Sequence, residues 1–215
     1  MTTETTKAHT RYITSDGTMV PGVTTVLGIL NKPALVSWAN KLGLQGIDST
    51  RYKDKLAGIG TLTHLMILNH LSGLKTDNSE YSQNDIAQAE NCFLSYLEWE
   101  KHHKIEPVLV EKPLVSEYHG YGGTCDLLGL INGELELIDF KTGNAIYPEY
   151  FYQLSAYNHL VKEQGHKIIR ARILRIGRAN NEAYEERTIV NMSKEFELFL
   201  HCLAIYNLKK EMKQK

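Results

Sequence analysis

Asp126, Asp139 and Lys141 stand where two short apolar runs fold back on each other. The stretch GGTCDLLGLINGELELIDFKTG, residues 122–143, carries Asn132-Gly133 between them. Asn-Gly at such a place is the strongest short-range sign of a two-residue type I′ hairpin turn. That turn pairs residues whose numbers sum to 265, so Asp126 faces Asp139. Opposed Cβ atoms in an antiparallel pair lie ~4.5–5.5 Å apart. Alternation puts Leu128, Leu130, Leu135, Leu137 and Lys141 on the same face as the two acids. Like charges so placed repel each other, and either Lys141 or a divalent cation held by both carboxylates offsets that repulsion. The residues thus admit two readings. One is a structural acid pair salt-bridged to lysine at a strand end, and the other is a divalent-metal site.

Further motifs stand around this core. Gln153 and Tyr157 sit one helical turn apart, so they share a face. Upstream lie Gly60-Thr-Leu-Thr-His64, an acidic residue, Glu111, after Val108-Leu-Val110, and the opening Pro21-Gly-Val-Thr-Thr-Val-Leu27. In this order the motifs resemble the PD-(D/E)XK nuclease superfamily. They look most like its RecB-like branch, which includes the mitochondrial genome maintenance exonuclease and phage-encoded exonucleases. The resemblance runs from about residue 21 to residue 157.

It implies a divalent-metal-dependent DNA exonuclease acting on free single-stranded or frayed ends. The alternatives are an endonuclease of the same fold and a catalytically inactive nucleic-acid-binding module. Asp126 and Asp139 would bridge Mg²⁺ or Mn²⁺, with the backbone carbonyl of Phe140 completing the set and His64 and Glu111 as further ligands. Lys141 would orient or deprotonate the attacking water, and Gln153 and Tyr157 would position the nucleophile or the phosphate. Each has a plainer rival. His64, on a helix whose Leu65, Leu68 and Leu71 are expected to face inward, has the rival reading of a structural histidine, the usual fate of a lone one on a helix. Glu111 reads as a surface glutamate, and Gln153 and Tyr157 as anchors of a helix on the sheet. The other histidines read as surface residues.

Composition allows a nuclease without demanding one. A net charge of −1 means that any grip on DNA must come from local clusters. Candidates are Arg170 and Arg172 on a strand, Arg51 and Lys53 near Lys55, and the lysines after residue 208. Trp38, Tyr52 and Tyr150 are candidates for stacking on bases, with core packing the rival fate of Trp38. Cys92, Cys125 and Cys202 are dispersed and read as buried thiols. The four-cysteine iron–sulfur cluster of some RecB-like nucleases is not expected from them. No apolar stretch approaches a membrane span and MTTETTKAHT has no signal-like apolar core, so the expected location is the cytoplasm of a bacterial or phage-infected cell. A homo-oligomer is compatible with the resemblance, since toroidal nucleases occur in that superfamily. A rival set of tokens, Ser72-x-x-Lys75, Ser82-x-Asn84 and Lys141-Thr-Gly143, spells the signature of penicillin-binding proteins. Ser72 is expected to follow a helix rather than open one, which argues against it.

The elements that must position these residues follow from periodicity and caps. Residues 1–20 are polar and read as a flexible arm or weak strand. Residues 21–104 read as a helical region covering the site. Its helices are expected near 24–30, after Lys32-Pro33, over about 59–71, and from a Ser82-x-x-Asp85 capping box onward. Residues 105–215 read as the nuclease core: a strand around 108–115, the hairpin, a helix from Pro148 to about 164, strands near 168–178 and 184–190, and a final helix from Ser193. The predicted fold is α/β, a central mixed β-sheet flanked by helices.

Overall fold

The computed structural model describes residues 10–180 and 182–213. Of the stretch expected to be a flexible arm, residues 1–9 lie outside the described part. The rest forms a small hairpin of β1 (Tyr12–Ile13) and β2 (Met19–Val20). The Tyr12 hydroxyl shares a hydrogen bond with Thr124 Oγ1 at 3.0 Å, which ties this hairpin to the main sheet.

Four helices follow: α1 (Val23–Leu27), α2 (Pro33–Leu44), α3 (Ser49–Leu71) and α4 (Gln83–Glu100). The third begins a good two turns before the expected residue 59. Asp48 accepts from the backbone N–H groups of Thr50 and Arg51 and caps it there. Its buried stripe is Ile59, Leu62, Met66 and Ile67, so the helix is rotated from the expected phase and His64 sits on the flank of that stripe. Ser82 caps α4 as anticipated, accepting from the Asp85 N–H. Ser72 ends α3 as its C-cap, which removes the penicillin-binding reading because that nucleophile must open a helix.

The remaining elements are β3 (Ile105–Ser116), β4 (Tyr121–Ile131), β5 (Glu134–Lys141), α5 (Pro148–Glu163), β6 (Arg170–Arg175), β7 (Glu185–Ile189) and α6 (Ser193–Lys213). The five long strands form one sheet in sequence order, β3-β4-β5-β6-β7. All neighbours are antiparallel except β5 and β6, which run parallel with α5 as the crossover. The central hairpin has the expected register, Leu128 opposite Leu137 and Ile131 opposite Glu134. Asn132 and Gly133 carry φ values of 52° and 87°, both positive as a type I′ turn requires.

Helices cover both faces of this mixed sheet. On one face Val26, Leu154, Tyr157, Leu160 and Phe199 of α1, α5 and α6 pack on Leu128, Leu137 and Ile173. On the other, Ile67, Tyr96 and Trp99 of α3 and α4 pack on Leu127, Ile138, Phe140 and Leu174. The N-terminal helices therefore divide between the faces, and α2 buries none of its residues. Cys92, Cys125 and Cys202 are free and buried. No helix among the described residues is long and apolar enough to cross a membrane.

Candidate active site

Three acids come level on three adjacent strands. Val110–Leu127 and Lys112–Cys125 are paired across β3 and β4, which sets Glu111 opposite Asp126. Glu111 has φ 46°, a left-handed conformation for a residue with a side chain, at a strain of ~1–3 kcal/mol. The β4–β5 ladder ends at Leu127–Ile138, one residue short of Asp126 and Asp139. There the Phe140 N–H donates to Asp126 Oδ2 at 2.9 Å, so a carboxylate takes the place of a strand carbonyl.

Strict alternation fails at this point. Cys125 and Leu128 both join the core beneath α5, while Leu127 joins the opposite one. Asp126 turns toward α3, and His64 Nδ1 lies 3.5 Å from its Oδ1. The expectation that both acids share one face with Lys141 is corrected accordingly: Asp139 keeps that face, and Asp126 looks into the gap where the strands part. A glycine lets α3 come this close, because a Cβ on Gly60 would stand 3.1 Å from Thr142 Oγ1 in the loop after Lys141.

On the α5 side, Lys141 Nζ is 2.6 Å from Asp139 Oδ2. The contact is a short charge-assisted ion pair between the two side chains. Nζ donates to Gln153 Oε1 at 3.2 Å, and Gln153 Nε2 donates to the Tyr157 hydroxyl at 2.8 Å. The Tyr157 ring packs against β4 at Gly123, where a Cβ would come within 2.5 Å of it. The two residues thus serve as a brace for the lysine, fixed from the core side. Tyr150 covers Nζ from above, 4.9 Å from its ring centroid.

The three charges are unequal. Burial pushes the Asp139 carboxyl up to about 6, and the neighbouring Asp126 charge adds to this against the opposing pull of Lys141. Burial acts on Asp126 in the same direction, but His64, Lys141 and the Phe140 N–H together outweigh it and hold that carboxyl below its usual range. Burial works against a charged Lys141, yet the two acids more than offset it and raise its pKa. Two carboxylates that titrate apart around one lysine are the pattern of a candidate functional site. The donor set suits a hard divalent ion: the buried Asp139 carboxylate, the half-buried Asp126 carboxylate and the Phe140 carbonyl.

Other expected residues are placed differently. Arg172 is 5% exposed and bonds Glu136 at 2.9–3.3 Å and also Glu186. Arg170 pairs with Glu134 and, at 3.0 Å, with Glu136. Both guanidiniums are therefore paired with acids on neighbouring strands, of which Glu136 is buried, and the expected phosphate contact at Arg172 is corrected to a buried ion pair. Arg51 and Lys53 project into solvent from the first turns of α3, their side chains 90% and 68% exposed. Trp38 is half-buried, not core, and its ring lies 6.1 Å from that of Tyr52. Together with Asn91, Asn144 and Arg178 they line a cleft of about 500 Å³ beside the loop that follows Lys141.

Sequence reasoning missed two things. The left-handed turn at Glu111 has no local signature, since neither glycine nor asparagine marks it. His119 and His159, read as surface residues, are half-buried against Phe196, and the His159-x-x-x-Glu163 spacing on α5 was the available signal.

No family model matches the chain, and no curated protein does. Several solved structures are similar to it at low identity. An alkaline exonuclease, LHK-Exo from Laribacter hongkongensis, is 16% identical over 75% of this chain and 92% of its own, with a TM-score of 0.36. The same exonuclease in complex with dAMP gives 15% identity, the same coverage and 0.37. A presumed exonuclease from Eubacterium rectale gives 14% identity over 70% of this chain and 65% of its own, with 0.44.

Proposed function

We propose that this chain is a divalent-metal-dependent DNA exonuclease that hydrolyses phosphodiester bonds from free single-stranded or frayed ends. The observation that carries the reading is the level row of Glu111, Asp126 and Asp139 on adjacent strands, closed by Lys141. Three acids kept together at the parting of two strands, one in a strained backbone, are expensive for stability and useful for binding a cation. Asp126, Asp139 and the Phe140 carbonyl would hold Mg²⁺ or Mn²⁺, with His64 and Glu111 as additional ligands. A bound ion supplies Lewis-acid polarisation of the phosphate and a more acidic water.

The rest is done by the chain's own groups. Lys141, braced by Gln153 and kept cationic by the acids, orients the attacking water and neutralises charge growing on the phosphate oxygens. Because its pKa is raised, charge stabilisation is assigned to it and proton abstraction is not. The cleft with Trp38, Tyr52 and Arg178 offers aromatic faces and a cation to a strand end, and Arg51 and Lys53 add charge along α3.

The test is a time course on linear and circular single strands of equal length with Mg²⁺ or Mn²⁺. Linear strands should be degraded and circles spared. Equal cleavage would mean an endonuclease with an open groove. No cleavage of either, with binding retained, would mean an inactive nucleic-acid-binding module.

A further inference from the structure

The far end of β4 carries a second cluster of ligand-type side chains. His119, in the turn between β3 and β4, meets His159 and Glu163 of α5, and one donor atom from each lies within 4.8 Å of the other two. We infer that these three residues form a second metal site, for a borderline divalent ion such as Zn²⁺. It is separate from the acidic row, because Tyr121 to Asp126 spans five residues of strand, ~17 Å.

The geometry is close to what a small tetrahedral ion needs. Zn–N and Zn–O bonds of ~2.0–2.2 Å put neighbouring ligand atoms ~3.4 Å apart. His159 Nδ1 and Glu163 Oε1 are 3.2 Å apart. Nδ1 is a buried atom with no hydrogen bond aligned to it, although the carboxylate lies beside it. The surroundings hold the ligands in place as supporting groups of metal sites do. The Ser116 hydroxyl donates to Glu163 Oε1 at 2.8 Å and accepts from the His119 N–H at 3.1 Å, so one buried serine links two of the three residues. Phe196 of α6 stacks on His159, centroids 4.3 Å apart and planes within 9°, and meets His119 edge-on. Gly120, with φ 68°, closes the turn that presents His119.

Two imidazoles and one carboxylate select against Mg²⁺, which prefers oxygen alone, and toward Zn²⁺ among common ions. The side chains of His159 and Glu163 are 27% and 25% exposed, so water can complete the coordination. An ion here would pin the β3–β4 turn to the helix that carries Gln153 and Tyr157. Its role is structural, and it does not depend on the nuclease reading.

The experiment uses the full chain with Asp126→Asn and Asp139→Asn, which removes the acidic site. After chelator treatment it is titrated with ZnCl₂ against a chromophoric chelator in excess Mg²⁺, and bound zinc is counted after desalting. One equivalent of Zn²⁺ should be retained, with a rise in melting temperature. His119→Ala and Glu163→Gln, each added to that background, should weaken Zn²⁺ binding at least ~10-fold with the circular dichroism spectrum unchanged. No retained zinc in the parent, or equal affinity in both added variants, would overturn the site.

Discussion

Replacing Asp139 by asparagine should make the metal-free protein more stable. The unfolded chain ionises an aspartate near pH ~3.9, whereas burial and the Asp126 charge lift Asp139 to about 6 in the folded chain. An acid whose pKa is raised on folding favours the native state while protonated. That stability is complete below about pH 4 and is lost as pH rises through about 6. The gap of ~2 units corresponds to ~3 kcal/mol at neutral pH, at 1.36 kcal/mol per unit. With the side chain only 2% exposed, solvent screening does not reduce it appreciably. Asn mimics the protonated acid, so Asp139→Asn should recover most of this, a rise of ~5–10 °C in melting temperature for a chain of this size. Asp126→Asn should do the opposite, because its carboxylate is held in the charged form by His64, Lys141 and the Phe140 N–H. The assay is thermal unfolding in chelator from pH 4 to 8. The wild-type curve should fall between pH 4 and 6 relative to the variant and run parallel above. A variant that melts at or below wild type at pH 7, or a gap that does not change with pH, would refute the proposed balance of charges.

Lys141→Ala should lower turnover by orders of magnitude while metal affinity, followed by calorimetry, is kept or slightly improved, since a neighbouring cation opposes binding of another. Arg172→Ala should destabilise the fold by ~1–3 kcal/mol in urea titrations by stripping buried Glu136 of one of its two arginine partners, with DNA affinity unchanged below the transition; a selective loss of affinity would return Arg172 to the substrate. At Glu111 both Gly and Val should abolish activity, but Val should unfold ~1–3 kcal/mol more easily than Gly, since a β-branched residue resists φ 46°.

The sequence alone determined what depends on neighbours in the chain. Asn132-Gly133 dictated the turn, the turn dictated the register, and the register brought Asp126 and Asp139 to the same level. Ser82 and Gly165 marked helix ends because caps are local hydrogen-bonding problems. Gln153 and Tyr157 share a face by helical spacing alone, although only the packed structure turned that face on Lys141. Tertiary structure decided everything that rests on distant strands and helices. Arg172 looked available to phosphate because its partners, Glu136 and Glu186, are 36 and 14 residues away in the chain. Glu111 came level with Asp126 through β3–β4 pairing, in a left-handed conformation that no residue type nearby announces. His119 met His159 because a turn and a helix converge on Phe196. Burial has the same origin: Asp139 is an ordinary carboxylate in the sequence and a strained one only once α5 and the sheet have closed over it.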